Sequence, residues 1–281
     1  MAIGRNRASG WYYAKMSGHE NEMDVERLFD DDDFCDKFSV RLGVGRIIKA
    51  EVGGRHETNV PSIIGHTTKS KTDLKLYLES GKVVNLSIKK SWGGQVYLIS
   101  VDRFIKGYEN HFLTMIPEDI KDSMYLYFYG HEKTLSLLDD IKIIAGESPR
   151  VVSYQKRKHR LVWKSLENYD SEKAANFLQW IKDNIDNIAE YCFSRGLASQ
   201  TSEWADYVWY INLLGEDDVD VIFKVSDISN AMKDNVDKVV ASRINGGSTI
   251  RLPFGFVQWH QCQMQFHHDL ALLLECVGEK Y

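Results

Sequence analysis

Apolar and polar residues recur along this chain with two different periods. Near the start, Met23, Val25, Leu28 and Phe29 follow helical spacing and predict a helix over Asn21 to Phe29 that carries Glu22 near its beginning. Asp30 to Asp33 follow as a solvated helix end or loop. Residues 42–70, rich in Gly, Thr, Ser and His, read as strands broken by loops. Gly43 and Gly45 mark a tight turn there, because no GxxG or GK[ST] completes a phosphate loop. The clearest pattern comes next. Leu74, Leu76 and Leu78 alternate with Asp73, Lys75 and Tyr77; beyond Glu79-Ser80-Gly81-Lys82, Val84, Leu86 and Ile88 alternate with Asn85, Ser87 and Lys89. Period two on both sides of a Ser-Gly turn predicts a β-hairpin. An odd loop such as Ser80-Gly81-Lys82 keeps both apolar sets on one face, which sets Leu76 opposite Leu86 and Asp73 opposite Lys89.

The helical period returns at 134–145 and again after Tyr169-Asp170-Ser171-Glu172, a capping sequence. Ala174, Phe177, Leu178, Ile181, Ile185 and Ile188 form the buried stripe of that long helix, and Arg195-Gly196 ends it. Residues 203–213 and 219–225 read as strands, 230–241 as a short helix, and 249–259 and 262–267 as strands. This interspersion predicts an α/β (α+β) fold, a mixed central sheet flanked by helices. Gly146-Glu147-Ser148-Pro149 is the expected boundary between a first lobe, 1–148, and a second, 149–281.

Composition narrows the classes. With 281 residues, 43% hydrophobic and 27% charged, the chain is neither disordered nor fibrous. No apolar run approaches a membrane span and no apolar leader opens the sequence, so a cytoplasmic protein without a membrane partner is expected. Cys35, Cys192, Cys262 and Cys276 stand far apart with no CxxC pair, which favours free thiols over a zinc site or a disulfide scaffold. The net charge is −5, with 21 basic and 22 acidic residues in 1–150 and 14 and 18 in 151–281. A nucleic-acid partner would therefore have to meet local basic patches, such as the run Lys156-Arg157-Lys158-His159-Arg160.

Asp73 and Lys89 project from neighbouring strands on the face away from the apolar set. An ordinary cross-strand ion pair, worth about 0.2–1 kcal/mol, is one reading. Metal-dependent phosphodiester hydrolysis is the other. That reaction needs charge neutralisation on the non-bridging oxygens, a nucleophile in line and a proton for the leaving oxygen, and a hard cation beside an ammonium supplies much of this.

Asp73-x13-Ser87-Ile88-Lys89 resembles the signature of the PD-(D/E)xK nuclease superfamily, in the variant whose middle carboxylate is a neutral polar residue. With Lys71-Thr72-Asp73 on the first strand, the chain resembles more narrowly the small, mainly monomeric type II restriction endonucleases that cut CCGG or GCGC. Further segments fall in the same order: Gly18-x-x-Asn21-Glu22 before its helix, Arg160 to Gly196 with Trp180, Glu203-Trp204, Arg251-x-Pro253-Phe254-Gly255, Trp259 and Met264-Gln265-Phe266. The resemblance implies a restriction-endonuclease-like fold with a C-terminal DNA-recognition lobe. It also implies Mg²⁺-dependent cleavage of double-stranded DNA at a short, GC-rich site of four base pairs, leaving 5′-phosphate and 3′-hydroxyl ends. Asp73, Ser87, Lys89 and Glu22 are the implied catalytic residues, with the cation on Asp73 and the Ile88 carbonyl. A monomer is expected, and a cognate DNA methyltransferase that protects host DNA without forming a stable complex. Two departures stand out: Ser87 is smaller than the family's Asn or Gln, and His267 replaces the Lys that follows Gln-Phe.

Bases are read by side chains that place two hydrogen bonds on one edge. Lys90, Ser91 and Gln95, in a Gly-flexible connection after the catalytic strand, and Arg251, Gln258, Gln263 and Gln265 near the C-terminus are the candidates. Lys69, Lys71, Lys156, Arg157 and Lys158 suit phosphates better than bases. A repair nuclease of the same fold without tight sequence recognition, and a catalytically inactive DNA-binding module, are the competing readings. A Ser or Cys hydrolase is disfavoured because no GxSxG stands in the chain.

Overall fold

The structure, a computed structural model, describes residues 7–53, 59–129, 150–152, 158–214 and 219–278. In chain order these form α1 (Arg7–Leu28), α2 (Asp32–Leu42), β1 (Ile47–Val52), β2 (Val60–Pro61), β3 (Thr67–Thr68), β4 (Leu74–Leu78), β5 (Val83–Lys89), β6 (Gly93–Ser100), α3 (Val101–Phe112) and α4 (Glu118–Met124). There follow β7 (Arg150–Val152), β8 (Lys158–Arg160), α5 (Trp163–Tyr169), α6 (Ser171–Asp183), α7 (Ile185–Glu190), β9 (Tyr207–Ile211), β10 (Asp220–Lys224) and α8 (Val225–Asp234). The last elements are β11 (Val240–Ala241), β12 (Thr249–Leu252), β13 (Gly255–His260), β14 (Gln263–Asp269) and α9 (Leu270–Val277).

Two five-stranded sheets organise them. The first has the order β1-β4-β5-β9-β10 and is mixed, since β5 and β9 run parallel while the other pairs are antiparallel. The second, β11-β12-β13-β14-β6, is antiparallel throughout. Leu74, Leu76, Leu86, Ile88 and Trp209 on one face of the first sheet bury against Val25 and Phe29 of the α1 side and Phe38 and Leu42 of α2. From the opposite face Val208, Tyr210 and Phe223 enter a larger core, shared with Phe177, Ile188, Val257, Met264 and Phe266. The mixed α/β architecture is the one the periodicities predict.

Several local expectations need correction. In the β4–β5 hairpin Leu74 faces Leu86 and Leu76 faces Val84, two positions away from the expected register. The loop is Glu79-Ser80-Gly81, closed by Leu78 N–H on the Lys82 carbonyl at 2.8 Å, with Gly81 at φ 79°. A three-residue hairpin wants its left-handed residue last, so glycine moves the loop back by one and every pair by two. Asp73 then stands beside Ser87, not Lys89.

The long helix expected after Asp170 is broken at Asn184. That side chain donates to the Trp180 carbonyl at 2.8 Å and accepts from the Tyr108 hydroxyl at 2.7 Å, diverting the backbone from regular helix. Residues expected as a helix at 230–241 end α8, make one 3₁₀ turn over Val236–Lys238 and enter β11. The connection expected after Lys89 is only three residues long before β6 begins, so Gln95 lies in a strand.

Neither sheet respects the expected lobes. β9 and β10 complete the sheet that holds β4 and β5, and β6 is the edge strand of the C-terminal sheet. The boundary at 146–149 and the helix expected at 134–145 lie outside the described residues.

Candidate active site

Asp73 sits just ahead of β4, where its own N–H donates to the Leu86 carbonyl at 2.8 Å and its carboxylate turns toward β5. Oδ2 accepts from the Ile88 N–H at 2.7 Å and from the Ser87 hydroxyl at 3.0 Å. Lys89 Nζ donates to Ser87 Oγ at 2.6 Å and to the Ile88 carbonyl at 3.1 Å, and lies 3.8 Å from Asp73 Oδ2. Acid, hydroxyl and amine thus form one chain in which Ser87 bridges the other two. The side chains of Asp73 and Lys89 remain 28% and 19% exposed, so the cluster is partly desolvated and still open to solvent.

Glu22 reaches this cluster because α1 is pinned to the end of β9. Asn21 is fully buried; its amide donates to the Ile211 carbonyl at 3.0 Å and its oxygen accepts from the Leu213 N–H at 2.8 Å. The next side chain, Glu22, lies at the site, where burial and the nearby Asp73 carboxylate push its pKa up to about 8 against the pull of Lys89. Two acids therefore face one ammonium in a partly dry setting, where Glu22 gives up its proton only near pH 8 unless a cation takes that proton's place.

The other wall comes from the second sheet. Tyr210 is the neighbour of Lys89 across the parallel β5–β9 pair, and its hydroxyl lies 3.0 Å from Nδ1 of His268 at the end of β14. Burial, then Lys89 and His267, lower the His268 pKa to about 3, while burial raises that of Tyr210. Burial thus favours the neutral form of both the imidazole and the phenol. Nε2 of His268 lies toward Gly94, where a Cβ would stand 3.7 Å away, in ordinary van der Waals contact.

No family model matches the chain, and no curated protein matches it. Among solved structures, it is similar to the restriction endonuclease MspI, crystallised in complex with its cognate DNA. The two share 13% sequence identity over 84% of this chain and 77% of that one, with a TM-score of 0.46.

The donor set suits a hard cation. Asp73 and Glu22 offer carboxylate oxygens, and Mg²⁺ takes one or two such ligands while keeping water and substrate phosphate in its remaining positions. The Ile88 carbonyl, an expected ligand, already accepts from Lys89 Nζ and keeps one lone pair besides. Among the described residues no cluster of three or more His, Cys, Asp or Glu could hold a metal.

The expected DNA contacts divide into groups. Gln258 Nε2 donates to Gln265 Oε1 at 2.9 Å, and Gln265 Nε2 to Gln95 Oε1 at 2.8 Å, a carboxamide row across β13, β14 and β6. Strand pairing puts Gln263 and the exposed Arg251 on that same face, opposite Ile250, Val257, Met264 and Phe266. Ser91 is exposed just after β5 but donates to the Gly93 carbonyl at 3.0 Å, and Lys90 is half-buried. Lys71 is not the free phosphate contact expected of it. Its ammonium donates to the Val96 carbonyl at 3.0 Å over the Tyr97 ring, 3.9 Å from the centroid, and burial lowers its pKa to about 7. Lys156, Arg157 and the Lys158 side chain lie outside the described residues.

Sequence reasoning missed Tyr210 and His268. The local pattern around each shows only strand; the β5–β9 pairing that sets Tyr210 beside Lys89, and the contact between sheets that brings His268 to Tyr210, are not local.

Proposed function

We propose that this protein is a Mg²⁺-dependent endonuclease that cuts double-stranded DNA at a short specific site, the activity of a type II restriction endonuclease. One observation carries the reading: Asp73, Ser87 and Lys89 are joined in a single hydrogen-bonded chain at an open sheet end, with Glu22 converging from α1. A plain cross-strand ion pair would need neither the second carboxylate nor the opening. When bound, Mg²⁺ would neutralise a non-bridging phosphate oxygen. Asp73 and Glu22 are the residues to hold it. Lys89 orients the attacking water and offsets the charge of the pentacovalent phosphate, and Ser87 keeps both the acid and the amine aimed into the opening. Attack on phosphorus with departure of the 3′ oxygen leaves 5′-phosphate and 3′-hydroxyl ends.

The carboxamide row and Arg251 are the base-reading groups of this proposal. Arg suits guanine, in keeping with a GC-rich site of four base pairs, and glutamines suit adenine, which admits an A·T pair as well. Each chain carries one site, so a monomer would nick the two strands in turn, and the host DNA would need a cognate methyltransferase to escape cleavage.

Plasmid digestion in Mg²⁺ with sequencing of the ends tests this. Discrete fragments are expected, and Asp73→Asn is expected to slow cleavage by at least about a thousandfold through loss of transition-state charge stabilisation. A smear without fixed ends would favour a repair nuclease. Intact DNA binding without cleavage in Mg²⁺ or Mn²⁺ would favour an inactive DNA-binding module.

A further inference from the structure

A groove of about 440 Å³ lies between the segment 67–71 and the outer side of β6, reaching the first turn of α3. Lys69, Lys71 and Arg103 line it together with Thr67, Thr68 and Gln95, and no carboxylate does. Lys69 and Arg103 are exposed, and neither forms an ion pair among the described residues. In a chain with a net charge of −5 this is a local inversion of sign.

We propose that this groove holds the sugar–phosphate backbone of the DNA strand that runs into the active site, with Lys69 and Arg103 as its phosphate contacts. The inference rests on the nuclease reading and adds to it the path of the substrate. Three observations favour backbone over bases. The lining combines basic side chains with hydroxyls and no acid, which suits a polyanion. The aromatic ring at the groove, Tyr97, is covered by the Lys71 ammonium and offers no stacking face. Gln95 belongs to both features: it lines the groove and ends the carboxamide row. A strand whose phosphates lie in the groove therefore presents its bases to Gln95, Gln265 and Gln258. At the other end Lys71 leads the chain within two residues to Asp73, so the same strand passes the acid.

Fluorescence anisotropy without metal, on two duplexes of unrelated sequence across a salt series, tests the assignment. Lys69→Ala and Arg103→Ala are each expected to reduce the slope of log K against log salt by about 0.9 and to weaken both duplexes by the same factor. Lys82→Ala, at the exposed hairpin tip far from the groove, is expected to leave the slope unchanged. Unchanged slopes in both groove variants would overturn the proposal, as would a loss confined to one sequence or an equal loss in Lys82→Ala. Wild-type plasmid cleavage, measured alongside, separates the two readings. Cutting with unaltered slopes sinks the groove alone; altered slopes in a protein that never cuts sink the nuclease and leave the groove standing.

Discussion

Lys89 owes its setting to a residue far away in sequence. Tyr210 packs beside it and is held by His268, so Tyr210→Phe removes one hydroxyl and leaves a buried imidazole nitrogen without its hydrogen-bond partner. The expected cost is about 1–3 kcal/mol of stability, seen as a lower denaturation midpoint. Under the proposed nuclease activity the expected kinetic effect is a drop in kcat without a change in DNA affinity, because Tyr210 stands beside the amine and not in the carboxamide row. Glu22 makes stability depend on pH. Its carboxyl ionises at about 8 in the folded protein against 4.5 for the ordinary group, so the folded state binds more protons between those values. Stability falls as pH rises through that window and levels off above it. Glu22→Gln is expected to flatten the decline, measured as denaturant midpoints at either end of the window. Asp73, Ser87 and Lys89 were legible in the sequence because strict alternation assigns a face, whichever register the strands adopt. The register itself was not, since moving a loop by one residue preserves the alternation. Glu22 came from resemblance alone; nothing in its own helix marks it.

Among the elements, one helix start was written plainly, while α1 begins at Arg7, well ahead of the Asn21 expected for it. Asp170 caps α6 by accepting from the Lys173 N–H at 2.9 Å, as its sequence suggests. Asp170→Ala is expected to cost about 1 kcal/mol in thermal or denaturant unfolding. The β13–β14 hairpin shows the reverse case. Its strands were evident, but the turn places Gln261 at φ 50° and Cys262 at φ 64°, where Asn-Gly is the usual pair. Gln261 is exposed and Asn tolerates this backbone better, so Gln261→Asn is expected to stabilise by about 0.5 kcal/mol in the same assay. β6 was hidden for a different reason: its glycines and serine resemble a linker, and what makes it a strand is an edge supplied by β14.

At the scale of the whole molecule, the sequence separated two lobes where the structure interlaces two sheets. Glycine and proline at a candidate boundary report a break in local structure; they say nothing of which strands pair across it. Because β9 and β10 finish the first sheet and β6 borders the second, fragments 1–148 and 149–281 are each expected to remain unfolded when expressed alone. Circular dichroism and proteolysis of the separate pieces check this, and a cooperative melt from either would contradict it. The interlacing also sets an order of events on the ribosome. Lys89 has no β9 beside it until residue 211 has emerged, and β6 waits for β14, which ends at Asp269. A nascent chain therefore cannot complete the surroundings of the Asp73–Ser87–Lys89 cluster until both partner strands have been made, well over a hundred residues after Lys89 itself.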